Sequence, residues 1–424
     1  MFGLLYPLGS AFFRVGLHLA ALFGHEKARK AVTGRRGWAD RLTVAANSVA
    51  HEKPGSWIHV HCASLGEYEQ AAPLLEALRN RAPERPLLLT FFSPSGKEAV
   101  PAEAADHVDY LPFDTLRNMQ RFDVTLPVAD TVLVKYELWP RLIEVRLARG
   151  ARLHLVAARF DPGRHPMGRW GGWIRQRLAR FTHLLVQDPA SAETLGTVGL
   201  RADVLGDPRV DRVLSTVETP PNGATQDRID QIAHWVDGRN LLVVGSACEG
   251  DWKAVRHLLP VLSGSGWCLL VAPHEVQGRH VEAWAEESRF PRMSRSQPED
   301  RMGADGLLLD EVGLLKHVYG LGAAAIVGGG WGAGVHNTLE AAAFGLPMAV
   351  GPKIEGFREI EAFRAEGGLV VCSTPHEMAE TVGHWMSSEG ESSRAEAGAA
   401  AAAWVSKQSG AAGRIADRVL DLRG

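Results

Sequence analysis

The chain has 424 residues, 46% of them hydrophobic and 22% charged, with a formal net charge of -3. This length predicts two globular domains of roughly 150–200 residues each, because a single hydrophobic core rarely grows larger. A net charge near zero excludes the overall basic field of nucleic-acid-binding proteins. The four cysteines contain no CxxC pair, so we expect reduced core residues in a protein body that lies in the cytoplasm. They are Cys62, Cys248, Cys268 and Cys372.

The N-terminal residues differ in composition from the rest of the chain. Residues 1–24 are apolar apart from Arg14 and His18, and no small-x-small cleavage site indicates a removable signal peptide. The basic residues that follow are Lys27, Arg29, Lys30, Arg35, Arg36 and Arg41. Three interpretations fit: an interfacial helix whose basic flank binds anionic lipid, a membrane span made costly by Arg14, or an amphipathic helix buried in the protein core. We favour membrane contact, with the protein body on the cytoplasmic side.

Short apolar runs alternate with helical patterns from residue 55 onwards. The predicted strands of the first half are Trp57–Cys62, Pro86–Phe92, Thr131–Lys135, Leu153–Ala157 and His183–Gln187. A helix is predicted over Glu67–Arg79 and a turn at Ser93–Gly96. This βαβ alternation indicates a parallel sheet with helices on both faces.

A polar, proline-containing segment, Val217–Asp227, is the predicted linker. The strands predicted after it are Asn240–Gly245, Trp267–Ala272, Gly306–Leu309, Ala323–Val327 and Pro347–Val350, and the alanine-rich Ala395–Ala403 is predicted to be helical. The chain thus predicts two Rossmann-like, doubly wound α/β domains that face a cleft. The predicted boundaries are 1–40 for a membrane-associating segment, 41–216 for an N-terminal domain and 217–424 for a C-terminal domain.

The most distinctive block runs from Val327 to Glu340 and contains five glycines. A buried strand is predicted to end at Gly328–Gly330, and a helix to start near Asn337. Glycines let a backbone approach a ligand closely, and the free N–H groups at a helix start attract a phosphate. Asn337 can cap the helix, and Glu340 can reach a ribose hydroxyl. The alternative is a tight turn before a capped helix; the spacing matches neither an ATPase loop nor a dinucleotide fingerprint.

A second block places Ser64, Gly66 and Glu67 directly after the first predicted strand. Ligands of open α/β sheets bind at the carboxyl ends of the strands. Glu67, in the first turn of the next helix, can take a proton from an acceptor hydroxyl there. A glutamate that only stabilises the helix dipole is an equally good interpretation of this pattern.

Three further charged blocks follow predicted strands. Lys135 and Glu137 alternate at the end of one strand, Gly206–Arg212 forms a charged loop before the linker, and His274 follows Pro273. Surface salt bridges and a loop histidine are the ordinary use of such residues. All five blocks nevertheless fall where this architecture would line a single cleft.

Taken in order, these blocks resemble glycosyltransferase family 30, the bacterial 3-deoxy-D-manno-octulosonic acid (Kdo) transferases. The most specific match is the Ser-x-Gly-Glu motif at Ser64–Glu67 together with the His-Asn-x-Leu-Glu motif at His336–Glu340. The other matching segments are Gly34–Arg41, Leu89–Gly96, Tyr110–Asp114, Glu137–Pro140, Gln187–Asp188, Gly206–Arg212, Gly245–Ser246, Pro273–Glu275, Asp310–Leu315 and Phe344–Pro347. Ala247 and Cys248 depart from the residues that many members carry after the Gly-Ser pair.

The resemblance implies a GT-B fold that transfers Kdo from CMP-Kdo to a lipid A precursor, with inversion and without a metal or cofactor. It places the protein on the cytoplasmic face of the bacterial inner membrane. It implies that Glu67 is the general base, that Glu137, Lys135 and Arg209 support the transition state, and that Ser64 and Gly66 lie on the acceptor side. The implied CMP-binding residues are Gly245, Ser246, Pro273, His274, Val312, Gly313, Leu314, Gly329, Gly330, Asn337, Thr338, Leu339 and Glu340.

Two rival functions compete with this reading. One is another GT-B nucleotide-sugar enzyme, such as a UDP-sugar transferase or epimerase, which would not require a cytidine nucleotide. The other is a non-catalytic, membrane-bound protein that binds lipid or sugar nucleotide, which would release no CMP. Helix N-termini, Arg209 and His274 can neutralise the single phosphate of CMP without magnesium.

Overall fold

The computed structural model describes residues 2–49, 53, 55–126, 128–163, 167–168 and 171–421. The chain forms two compact units. The N-terminal unit comprises Met1–Arg212 and Gly410–Gly424, and the C-terminal unit comprises Val213–Ser409.

Three helices precede the first strand: α1 (Phe2–Leu22), α2 (Glu26–Gly34) and α3 (Trp38–Val49). Much of the apolar surface of α1 is exposed, including Phe12 at 75% and Leu22 at 80%. The interpretation of a helix buried in the core is therefore wrong. Among the described residues no single helix is long and apolar enough to cross a membrane; only α1 and α2 together, bent by 118°, reach that length and composition.

The basic residues beside α1 do not form one uniform flank. Arg35 is 5% exposed and donates to three backbone carbonyls. Lys30 pairs with Glu26 and Glu98, and Arg41 pairs with the buried Asp109. Lys27, Arg29 and Arg36 are exposed, and so is Arg41 despite its ion pair.

The N-terminal unit is built on seven parallel strands in the order β3-β2-β1-β4-β5-β6-β7. They are β1 (Trp57–Cys62), β2 (Leu87–Phe91), β3 (His107–Tyr110), β4 (Val128–Val134), β5 (Arg152–Ala158), β6 (His183–Val186) and β7 (Asp203–Val204). The helices between them are α4 (Leu65–Arg81), α5 (Pro94–Ala99), α6 (Leu116–Thr125), α7 (Pro140–Ala148), α8 (Gly172–Leu178) and α9 (Pro189–Gly196), followed by α10 (Arg209–Glu218).

Both faces of this sheet are buried. Leu87 and Leu89 enter one hydrophobic core, whereas Leu88 enters another on the opposite face. Successive side chains of a strand point to opposite faces, so a parallel sheet covered on both sides needs continuous apolar runs. The predicted parallel, doubly wound sheet is confirmed.

The C-terminal unit repeats the pattern with six parallel strands in the order β10-β9-β8-β11-β12-β13. They are β8 (Asn240–Ala247), β9 (Trp267–Pro273), β10 (Gly306–Leu308), β11 (Ala324–Val327), β12 (Met348–Val350) and β13 (Leu369–Val371). The helices are α11 (Gly223–Val236), α12 (Glu249–Leu262), α13 (Arg279–Ser288), α14 (Pro298–Arg301), α15 (Leu315–Val318), α16 (Thr338–Ala343), α17 (Arg358–Ala365), α18 (Pro375–Met386) and α19 (Glu391–Lys407).

The last helix, α20 (Ala411–Val419), belongs to the N-terminal unit. It packs on α4, and Ile415 and Val419 are fully buried in the core formed with β1 and β2. The predicted C-terminal domain, 217–424, therefore extends too far. The burial of one apolar stripe of α20 against the first sheet is the physical reason.

Several predicted elements differ from the structure. Ser93–Gly96 is not a simple turn, because Ser93 caps α5 and Pro94 occupies its first position, where a missing N–H costs nothing. Most of the predicted linker is helical, with the break between α10 and α11 at 219–222. β4 ends at Val134, and Lys135 adopts a left-handed φ of 60°, so Lys135 is not part of the strand.

Replacing Ile415 by alanine should lower the free energy of unfolding of the N-terminal unit by about 2–5 kcal/mol, because the side chain is fully buried. Chemical denaturation measures this change. The matched control is Arg418→Ala on the same helix, which removes only an exposed ion pair with Asp203 and should cost under about 1 kcal/mol. Equal effects of the two changes would contradict the packing of α20.

Candidate functional site

Each sheet reverses its strand order beside its first strand. In the N-terminal unit β1 lies between β2 and β4, and in the C-terminal unit β8 lies between β9 and β11. At such a reversal the segments that follow two adjacent strands turn to opposite sides of the sheet. A crevice therefore opens between them at the carboxyl ends of these strands. Glu67 follows β1 and Glu137 follows β4, whereas the glycine block follows β11. The predicted position of these blocks after strands is confirmed.

Glu67 is held at the start of α4. The backbone N–H of Ser64 donates to Oε2 of Glu67 at 3.0 Å, and the Ser64 hydroxyl donates to the same oxygen. Ser64 precedes the helix as its N-cap, and Glu67 is the third helical residue. The two donors and the start of the helix hold the Glu67 side chain in one orientation. The capping role and a catalytic role are thus compatible in one geometry.

Glu137 lies in the segment between β4 and α7. The Trp139 indole N–H donates to Oε2 of Glu137 at 2.8 Å, and Nε2 of His61 lies 3.5 Å from that oxygen. Lys135 turns the chain here, and its backbone N–H donates to the carbonyl of Val156 at 2.9 Å. Glu137 is therefore positioned by one side chain from its own loop and one from β1.

A line of buried polar groups ends at Glu137. The Thr90 hydroxyl lies 2.8 Å from Nδ1 of His61 and 2.8 Å from Nε2 of His59. All three side chains are fully buried, on the neighbouring strands β1 and β2. Burial lowers the pKa of His59 well below its usual range, with Arg146 and His61 acting in the same direction, so His59 carries one ring proton.

One arrangement of protons satisfies this line. A proton on Nε2 of His61 would face Oε2 of Glu137, although at 3.5 Å the two atoms make a contact and not a hydrogen bond. Nδ1 of His61 then accepts from the Thr90 hydroxyl, whose oxygen accepts from Nε2 of His59.

Cys62 lies close to both carboxylates. Burial raises the pKa of its thiol well above the usual range, and the charges of Glu67 and then Glu137 add to that rise. A thiol held protonated is a poor nucleophile. Cys62 is therefore a poor candidate for a nucleophile at this sheet edge.

Arg209 is linked to α4 through the partly buried Asp207. Its guanidinium contacts Asp207 at 2.7 Å, and the Gln70 side-chain amide donates to Asp207 at 3.0 Å. Burial alone would raise the pKa of Asp207, but Arg209 and the hydrogen bonds from Arg209 and Gln70 lower it. Gln70 is one turn after Glu67 and 1% exposed, so α4 positions both Glu67 and the Asp207–Arg209 pair.

In the C-terminal unit the glycine block packs directly on the loop after β8. A Cβ on Gly328 would lie 2.4 Å from the carbonyl oxygen of Ser246, and one on Gly330 would lie 2.5 Å from Cα of Gly351. Gly329 has φ +96°. Larger residues would separate these backbones, so the glycines are required by close approach.

Asp251 joins the two loops. Its Oδ2 accepts the N–H of Cys248 at 2.8 Å and the N–H of Gly329 at 3.0 Å. The side chain is fully buried, and burial raises its pKa against the lowering effect of these hydrogen bonds. Sequence reasoning missed Asp251, although its position three residues after Cys248, the residue that precedes α12, is a capping pattern.

Two imidazoles and a phenol surround the same loops. The rings of His274 and His336 stack at 4.3 Å, and burial followed by the nearness of His274 lowers the pKa of His336. Tyr319 is buried, and burial and then Glu340 raise its pKa; a Cβ on Gly245 would meet its hydroxyl. The structure thus brings His274 and Gly245 to the edge of the sheet that carries the glycine block.

Asn337 caps α16, as predicted. The N–H of Leu339 donates to Oδ1 of Asn337 at 3.2 Å, and Nδ2 of Asn337 donates to Glu340 at 3.0 Å. Thr338 is 2% exposed at the first helical position. Before α15, Val312 is 84% exposed and Gly313 has φ +92°. Leu314, 5% exposed, anchors this segment in the core.

The predicted residues therefore fall into two groups, one in each unit. Glu67, Glu137, Lys135 and Arg209 belong to the N-terminal unit, and the residues predicted to bind CMP belong to the C-terminal unit. The described parts of the chain hold no group of three or more His, Cys, Asp or Glu side chains arranged for a metal ion.

We compared this sequence with known protein families and with characterised proteins. Residues 36–212 match the family described as 3-deoxy-D-manno-octulosonic-acid transferase (kdotransferase). The 3-deoxy-D-manno-octulosonic acid transferase of Haemophilus influenzae is 28% identical over 76% of this chain and 77% of its own length. That of Bordetella pertussis is 27% identical over 87% of each chain. The predicted resemblance to the Kdo transferase family is confirmed. These relatives support a Kdo glycosyltransferase role.

Solved structures agree on the fold. A UDP-GlcNAc 2-epimerase from Neisseria meningitidis, bound to UDP-GlcNAc, matches with a TM-score of 0.61 at 11% identity, over 87% of this chain and 100% of that one. A ugt transferase from Siraitia grosvenorii, in complex with UDP, matches with a TM-score of 0.54 at 12% identity, over 86% of this chain and 100% of that one. This chain therefore has the predicted GT-B fold.

Replacing Thr90 by valine should lower the free energy of unfolding by about 1–3 kcal/mol for each imidazole nitrogen left unpaired, since shape is kept and the hydroxyl is lost. Chemical denaturation measures the change. Thr131→Val is the matched control, because Thr131 is equally buried on β4 and no described group pairs with its hydroxyl. A Thr90 variant as stable as the Thr131 variant would refute the proposed line of hydrogen bonds.

Proposed function

We propose that this protein transfers Kdo from CMP-Kdo to a lipid A precursor, with inversion and without a metal. The observation that carries the proposal is the pair of positioned carboxylates, Glu67 and Glu137, at the point where the first sheet reverses its order, in a relative of the Kdo transferases. The glycine block at the corresponding point of the second sheet supports a nucleotide site there.

Glu67 is the proposed general base. Its Oε2 is held by Ser64 at the start of α4, so the carboxylate is fixed in place before substrate arrives. An acceptor hydroxyl that loses its proton to Glu67 would attack the anomeric carbon of Kdo, and the bond from that carbon to the CMP phosphate oxygen would break. Attack opposite the leaving phosphate inverts the configuration. A positioned base typically contributes about 10²–10⁴-fold to the rate.

Glu137, Lys135 and Arg209 are the proposed supporting residues. Glu137 can stabilise positive charge that develops on the sugar ring as the bond to phosphate breaks. Its fixation by Trp139 and His61 keeps the carboxylate preorganised, which is what electrostatic stabilisation requires. Arg209 and Lys135 supply positive charge for the carboxylate of the sugar or for the departing phosphate.

The C-terminal unit is the proposed CMP site. The backbone of Gly329 and Gly330 can approach the phosphate closely, and Asn337 orients Glu340 toward a ribose hydroxyl. His274 and its stacked neighbour His336 offer ring nitrogens at the same edge. The remaining proposed contacts are Gly245, Ser246, Pro273, Val312, Gly313, Leu314, Thr338 and Leu339.

We place the protein on the cytoplasmic face of the bacterial inner membrane, attached by α1. Exposed apolar side chains such as Phe12, Leu22 and Phe23 favour insertion into the boundary of a bilayer. The exposed Lys27, Arg29 and Arg36 would add attraction to anionic lipid. A lipid acceptor held in the same membrane would then be concentrated near the enzyme.

Glu67→Gln should reduce Kdo transfer by about 10²–10⁴-fold and leave CMP binding unchanged, because the amide cannot accept the proton. The assay supplies CMP-Kdo and lipid A precursor in EDTA, with the product read by mass. Glu69→Gln, two residues along the same helix, is the control. Activity of the Glu67 variant within a few-fold of wild type would remove Glu67 from the mechanism, and CMP binding without CMP release in wild type would favour a binding protein.

Asn337→Ala and Glu340→Ala should each weaken CMP binding about tenfold or more, because each change removes a hydrogen-bonding group expected to act on the nucleotide. Calorimetry with CMP measures this. Glu391→Ala, on an exposed residue at the start of α19, serves as the control in the same unit. Unchanged CMP affinity in both variants would rule out this nucleotide site, whatever their effect on transfer.

Replacing Leu22 and Phe23 together by serine should weaken binding to vesicles, since each inserted apolar side chain contributes roughly 1.5–3 kcal/mol. Flotation with vesicles containing anionic lipid measures the bound fraction. Val124→Ser, which changes an exposed apolar residue elsewhere in the same unit, is the control. Equal flotation of both variants and wild type would exclude α1 as the attachment site.

A further inference from the structure

A cavity of about 360 Å³ lies in the N-terminal unit between α1 and the segments that follow β2, β3 and β4. This volume is within the range of small-molecule sites. Gly9 and Phe13 of α1 form one side, and Phe92, Phe113 and Trp139 form the other. The cavity is distinct from the residues predicted to bind CMP, which belong to the other unit.

The aromatic side of the cavity is built on a buried cation. The ring centroids of Phe92 and Trp139 are 4.7 Å apart, and those of Phe13 and Phe92 are 6.0 Å apart. The Arg35 guanidinium lies 4.8 Å from the ring centroids of Phe92 and of Phe113. Burial lowers the pKa of Arg35 to about 10, so it stays charged and holds both rings through cation–π contact.

The charged group in the cavity wall is already engaged. Asp114 accepts the Tyr6 hydroxyl at 2.6 Å and the backbone N–H groups of Arg141 and Leu142 at 3.0 and 2.8 Å. These bonds attach α1 to the start of α7 and use both carboxylate oxygens. A polypeptide occupant would need hydrogen-bond partners for its backbone, whereas an alkyl chain needs none.

Trp139 links the cavity to the proposed reaction site, because it lines the cavity and its indole N–H donates to Glu137 at 2.8 Å. The facing residues belong to α1, a helix that also exposes apolar side chains such as Leu8, which is 58% exposed. An alkyl chain in the cavity would therefore lie between α1 and the residue that holds Glu137.

We propose that this cavity binds one acyl chain of the lipid acceptor, and this inference rests on the proposed function. The chain packs between Phe13 and the Phe92–Trp139 pair, and the polar part of the lipid reaches Glu137. The exposed cations Lys27, Arg29 and Arg36, which follow α1 in the chain, suit an anionic lipid. The cavity therefore selects acylated over deacylated acceptors.

Gly9→Leu tests the proposal, because the new side chain grows into the cavity. No atom lies within 4 Å of a Cβ built on Gly9, and leucine favours a helix more than glycine does. Gly16→Leu is the matched control on the same helix, with equally open space around its Cβ. Ser10→Leu provides a second cavity-filling variant should Gly9→Leu fold poorly.

Binding is first measured without any sugar donor. The probe is a lysophosphatidylcholine whose stearoyl chain carries bromine atoms, which quench nearby tryptophan fluorescence. Trp139→Phe identifies the share of quenching that belongs to Trp139 among the 12 tryptophans. We expect the brominated chain to quench Trp139 in the wild type and in Gly16→Leu. We expect this quenching of Trp139 to be lost in Gly9→Leu. Equal quenching in both glycine variants would overturn the proposal.

Transfer is then compared on acylated and fully deacylated acceptors. The ratio of the two kcat/KM values should fall about tenfold or more in Gly9→Leu, because each excluded methylene contributes roughly fourfold to affinity. It should stay at the wild-type value in Gly16→Leu. An unchanged ratio in Gly9→Leu overturns the proposal, whereas donor-free quenching without transfer to either acceptor means that the proposed function fails and the cavity assignment stands.

Discussion

Parallel strands must bury both faces, and this constraint decides where the protein can perform chemistry. Helices and loops cover the first sheet on both faces, with separate hydrophobic cores on the two sides. Only the ends of the strands remain available to a ligand. Both sheets reverse order beside their first strand, so the same opening recurs after β1 and β4 and after β8 and β11. The paired glutamates occupy the first opening, and the glycine block occupies the second.

Each opening is supported from beneath by a buried polar group. Asp251 binds two loops of the C-terminal unit, and the His59–Thr90–His61 line ends at Glu137. Such groups are costly inside a protein unless their hydrogen bonds are made. Their presence directly below the sheet edges indicates that precise placement of loops is worth that cost. A core of apolar side chains alone would exclude water equally well, but it would offer no hydrogen bonds to hold these loops in one position.

The sequence was sufficient for much of the fold, because continuous apolar runs such as Trp57–Cys62 can hardly be other than buried strands. The short strands β3, β7 and β13 were missed, since two to four residues carry little pattern. Glu67 and Asn337 could be predicted because their local contacts, a cap and a helix start, lie within a few residues of each other.

Contacts distant in sequence could not be predicted. His61 meets Glu137 only because β1 pairs with β4 in one register, and Gln70 meets Asp207 across 137 positions. Arg35 was interpreted as part of a lipid-facing flank, but tertiary packing buries it under three aromatic rings. The sequence shows that a residue is basic, but it does not show whether the folded chain will expose or bury its side chain.

The position of α20 has a consequence for synthesis. The first unit needs Ile415, Ala416 and Val419 to close one of its cores, yet the whole C-terminal unit lies between Arg212 and Gly410 in the chain. At roughly 5–20 residues per second, a ribosome takes on the order of 10–40 s to make the intervening segment of roughly 200 residues. During that interval the apolar surface of α4 that later receives α20 is uncovered. The N-terminal unit therefore completes its folding last, although it is made first.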